Sequence, residues 1–108
     1  MSRNDPDPVA IEAVASKLPG EDLVQEGLAD LAQDRTTDLS LLVLIAAPRL
    51  KRLGIQIPDR PFPRPYEHEL YAHLERRLGP AAHSYYNSLI RRIVSYARAL
   101  ETESRHNH

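Results

Sequence analysis

From Ala82 to Glu101 no glycine or proline interrupts the chain, and Tyr86, Leu89, Ile90, Ile93, Ala97 and Leu100 recur at helical spacing. That period gathers them on one face of a helix about five turns long. Tyr85, Val94 and Tyr96 widen the face. A helix with so broad an apolar arc has to be the spine of the domain, and the rest of the chain has to supply shorter pieces that cover it.

The breakers cut those pieces out. Asp7-Pro8 caps and starts a helix that runs to about Leu18, where Pro19-Gly20 stops it. Glu21 and Asp22 then place negative charge at the next helix N-terminus. Leu23, Val24, Leu28 and Leu31 share one face of this segment, with Gln25, Glu26, Asp30 and Gln33 opposite and an end near Asp34. Thr36 or Thr37 caps a third helix whose stripe is Leu39, Leu42, Val43, Ala46, Leu50 and Leu53; Pro48 is expected to kink or split it before Gly54 ends it. Residues 55–65 (IQIPDRPFPRP) carry four prolines and read as an extended strap laid over the domain. A fourth helix spans Tyr66 to Leu78, with Tyr66, Leu70, Leu74 and Leu78 inward, and Gly79-Pro80 separates it from the spine.

The expected architecture is therefore all-α, a compact bundle of four to five helices with a Pro-rich connector between the third and fourth. One helical domain spans residues 8–101, between a disordered N-terminus (1–7) and a disordered tail (102–108). A chain of 108 residues suits one modest core rather than a deep enclosed active site.

Composition removes several function classes. There is no cysteine, so disulfides, thiolate metal sites and cysteine nucleophiles are excluded. The longest apolar run, Leu41 to Ala47, has seven residues where a membrane span needs about twenty. No signal peptide is visible at the N-terminus, and the expected location is cytoplasmic, with no membrane partner. Net charge is −1, yet its signs are sorted: residues 1–40 hold nine acidic and three basic side chains, residues 41–108 six acidic and eleven basic. All five histidines and all six aromatic residues fall in the basic part. The two parts can attract each other within one fold, or the basic, aromatic part can meet a partner.

Two motifs come near to naming a reaction. His68, Glu69 and His73 approach a zinc-protease helix, but the histidines are five apart and their side chains diverge by roughly 140°. They cannot share one ion from an intact helix, so no metal site and no cofactor is expected. Glu69, His73 and Arg76 read as an ordinary solvated face. His106-Asn107-His108 spells a nuclease motif without the hairpin and helix that would build it.

Arg77 and His83 stand six residues apart in RLGPAAH. This pair resembles the arginine and histidine of the HEPN superfamily of small all-helical ribonucleases, although Leu78 follows the arginine where that family usually has a polar residue. The resemblance implies an RNA-cleaving dimer in which Arg77 stabilises a phosphorane and His83 moves a proton. The local alternative makes Arg77 a helix C-terminal cation and places His83 at the start of the next helix.

The outer side of the last helix offers a polar stripe, Asn87, Arg91, Ser95 and Arg98, whose residue types could track phosphates, with Ser84 and Ser88 nearby. Along one edge of its apolar arc lie Tyr85, Arg92 and Tyr96, and exposed tyrosines beside an arginine, as expected here, are the composition of the core of a protein interface. By elimination, the expected function is a non-catalytic, adaptor-type or regulatory interaction protein that associates with itself or another protein through that edge. The alternatives are the HEPN-like nuclease and a nucleic-acid binder using the last helix, the latter disfavoured by near-neutral charge.

Overall fold

The computed structural model describes residues 18–106, with side chains through Glu103. The described chain is all-helical and compact. Four α-helices follow one another, α1 (Glu21–Ala32), α2 (Asp38–Arg52), α3 (Tyr66–Leu78) and α4 (Ala82–His106), with a single 3-10 turn (Gly79–Ala81) ahead of α4. The helix expected over residues 8–17 and the disorder expected over 1–7 lie outside the described residues.

Helix α1 starts from Gly20, whose left-handed φ of 78° puts its α-carbon against α4. A β-carbon there would lie 2.7 Å from the Arg92 carbonyl oxygen and 3.3 Å from Tyr96 Cβ, so only glycine permits this approach. Its first turn has no side-chain cap at Gly20, and Glu21 Oε1 instead accepts from the Leu18 amide at 3.1 Å. Leu23, Val24 and Leu31 are buried, as the periodicity requires. Asp30, expected on the solvent face, is buried as well. The end of α1 meets the start of α2 there, and Thr37 and Arg35 supply the hydrogen bonds that make a buried carboxylate tolerable.

Thr37 caps α2 in a reciprocal arrangement: its hydroxyl accepts from the Ser40 amide at 3.1 Å, and Ser40 Oγ accepts from the Thr37 amide at 2.8 Å. Helix α2 passes through Pro48 without being split, contrary to one of the two expected outcomes. Pro48 is exposed, so its ring projects away from the packed side. The hydrogen bond its missing N–H would make is lost.

Residues 55–65 form no helix and lie against the domain. Ile57 is buried and Phe62 packs on the core. Arg60 Nε donates to the Leu31 carbonyl at 2.6 Å and Nη2 to the Ala32 carbonyl at 3.4 Å. The last turn of α1 has no basic residue of its own, so Arg60 brings the cation its C-terminal carbonyls favour.

Leu70 and Leu74 of α3 are buried, and Leu89, Ile93, Tyr96 and Ala97 of α4 close the core over Leu41, Leu42 and Leu50. Helix α4 continues past Glu101 to His106, into what was expected to be a disordered tail. The apolar period ends at Leu100, but nothing in the next residues breaks a helix.

Candidate interaction surface

Seven residues apart on α4, Tyr85 and Arg92 lie two turns apart on nearly the same side of the helix. Tyr85 is 42% exposed and is the large hydrophobic side chain left open among the described residues. It is nonetheless held: the Arg77 guanidinium lies 5.9 Å from its ring centroid, and Arg77 is itself paired with Asp38 at the start of α2. Asp38 holds the Arg77 guanidinium even more firmly protonated than usual. His73 Nδ1 approaches the same carboxylate at 3.6 Å.

Tyr96 does not share this exposure. It is 4% exposed and packed where Gly20 touches α4, so the expectation that it joins Tyr85 and Arg92 on an open edge is corrected. Burial, with the Glu21 charge nearby, pushes its phenol pKa up. The helical wheel places residue 96 at the margin of the arc, and the arriving α1 turn covers that margin.

Two clefts flank the Tyr85–Arg92 edge. The first, about 540 Å³, is lined by Tyr85, Leu23, Leu39 and the polar side chains Glu26, Asp30, Arg35, Thr37 and Asp38. Three carboxylates face one arginine in it. Arg35 is taken up by Asp30 at 2.9 Å, and Asp38 by Arg77, whereas Glu26 is exposed. Thr37 Oγ1 donates to Asp30 Oδ2 at 2.6 Å. This bond, followed by the Arg35 guanidinium, outweighs desolvation and holds the Asp30 pKa below its ordinary 3.8.

The second cleft, about 320 Å³, lies between the Pro19-Gly20 turn and α4, lined by Ser88, Arg91, Arg92 and Ser95. Arg92 reaches Asp22 at 3.6 Å, both side chains being about half exposed or more. The expected stripe is thereby divided. Arg91 and Ser95 enter this cleft, Arg98 is exposed outside it, and Asn87 turns to His83, their side-chain nitrogens 3.2 Å apart. Ser88 and Arg92 take their places, completing an i, i+3, i+4, i+7 set that the sequence displays openly.

Arg77 and His83 have separate partners. Arg77 is directed to Asp38 and Tyr85, while His83 lies against Asn87 and 6.4 Å from the Tyr71 ring centroid. His68 is exposed and His73 is turned toward Asp38. Among the described residues no group of three or more metal-ligating side chains is assembled, and no helix is long and apolar enough to cross a membrane.

No known protein family matches the chain, and no characterised protein or solved structure shows significant similarity to it.

Proposed function

We propose that the protein is a non-catalytic interaction module that associates with a second copy of itself through the Tyr85–Arg92 edge of α4. The observation that carries this reading is Tyr85, an exposed aromatic held in place by Arg77 between a carboxylate-rich cleft and an arginine-rich one. An aromatic already immobilised loses little freedom on binding, which favours its use as an anchor. Opposite charge on either side makes the edge self-complementary: under a two-fold axis, Arg92 of each copy faces the Glu26 side of the other. Such a module acts by holding partners together in a regulatory or adaptor role.

Dilution calorimetry tests the edge. Tyr85→Ala should weaken self-association by about 2 kcal/mol, or roughly thirtyfold, as truncation of a central anchor does. Arg92→Glu should weaken it too, and Arg98→Glu, outside the edge, should leave it unchanged. Equal dissociation heats for wild type and Tyr85→Ala would refute the assignment.

A further inference from the structure

We propose that the cleft between the Pro19-Gly20 turn and α4 is a binding site for a single phosphate monoester dianion. Ser88, Arg91, Arg92 and Ser95 occur at i, i+3, i+4 and i+7, so two guanidinium groups lie between two hydroxyls along roughly 10 Å of one helix face. Among the described residues Arg91, Ser88 and Ser95 have no side-chain partner; Arg52, Arg76 and Arg98 are also unpaired but do not line this cleft, and Arg35, Arg49, Arg60, Arg64 and Arg77 are all hydrogen-bonded. Three of the four side chains are uncommitted, Arg92 alone being paired, and all four line one open cleft.

The chemistry selects among anions. A phosphate monoester carries nearly two negative charges and three strong acceptor oxygens, enough to engage both arginines and a hydroxyl together. A carboxylate can satisfy one arginine, and one already does so: Asp22 stands 3.6 Å from Arg92. Asp22 is thus a built-in competitor, weak because the pair is exposed, and an incoming dianion displaces it. Asp22 also stands at the edge of the cleft with negative charge, and Glu21 adjoins Gly20 of its lining. A long polyanion running past this border would be repelled, which favours one compact phosphate over a nucleic-acid backbone. The site does not require self-association.

The test is an amide NMR titration of the full chain with inorganic phosphate, at constant ionic strength and at concentrations where the protein is monomeric. Saturating shifts should centre on Gly20, Ser88, Arg91, Arg92 and Ser95, with acetate at least tenfold weaker. Arg91→Gln should weaken binding tenfold or more, and Asp22→Asn, which removes the competitor, should tighten it severalfold. Arg98→Gln, which removes the same charge outside the cleft, should leave binding nearly unchanged and so separates a site from general attraction. Glycerol phosphate and a short phosphoserine peptide then identify the source: equal affinities indicate a small-molecule phosphate, and a much tighter peptide indicates a phosphorylated partner. Shifts that fail to saturate, a loss with Arg98→Gln equal to that with Arg91→Gln, no gain with Asp22→Asn, or tighter binding of a single-stranded oligonucleotide than of the peptide would each overturn the proposal.

Discussion

Asp30 is a carboxylate buried at the end of a helix, where its negative charge opposes the dipole, and it is held there by Thr37 and Arg35. Its Thr37 bond also fixes the hydroxyl that caps α2, so one side chain joins the end of α1 to the start of α2. Because its folded pKa lies below 3.8, the carboxylate contributes stability that is fully present above that value and lost as pH falls through the depressed folded value. Urea midpoints measured from pH 5 downward should therefore fall in the wild type. Asp30→Asn should flatten that part of the profile while lowering stability at pH 7 by about 1 to 3 kcal/mol, since a charge-assisted bond and its partners are disturbed. An unchanged profile in the variant would assign the acid sensitivity to other carboxylates. The Thr37 cap is legible in the sequence, because hydroxyl residues before an apolar period are a local signal. Asp30 is not, because a helical wheel knows only its own helix, and this burial is imposed by the neighbouring one. The burial of Tyr96 escapes for the same reason.

At the scale of elements, Gly27 decides how closely α1 and α2 approach. A β-carbon there would lie 2.5 Å from the Leu39 carbonyl oxygen and 2.6 Å from Val43 Cγ2. Helix propensity alone favours Gly27→Ala by about 1 kcal/mol. Overpacking against a backbone carbonyl costs about 1 to 3 kcal/mol, and a backbone atom cannot step aside as the tip of a side chain can. The packing term should win: the variant is expected to unfold at lower urea concentration than wild type, and a stabilised variant would show that the helices part easily. The bounds of α3 were readable because Pro65 and Gly79-Pro80 flank them. The end of α4 was not, since an amphipathic period marks where a helix is buried and not where it stops.

Across the whole molecule the sorted charges are partly spent within the fold. Arg60–Asp34, Arg77–Asp38 and Arg92–Asp22 all join the acidic first 40 residues to the basic remainder. Arg77–Asp38 stands beside Tyr85, and Arg92–Asp22 ties α4 to the start of α1. That juxtaposition was only half visible in the sequence, which displays Tyr85 and Arg92 on one helix but not the clefts that flank them. What the fold leaves over, including Glu26 on one side and Arg91 on the other, supplies charge to the exposed surface. An association built on such complementary charge should weaken as salt rises, because exposed charges are screened beyond about 10 Å at 0.1 M salt. The most direct measurement is sedimentation equilibrium of the wild-type chain over a range of protein concentrations at low and high salt. The proposed function predicts a reversible monomer–dimer equilibrium that shifts toward monomer at high salt and is weakened by Tyr85→Ala. A single monomeric species at every concentration and salt, or a dimer indifferent to Tyr85→Ala, would contradict it.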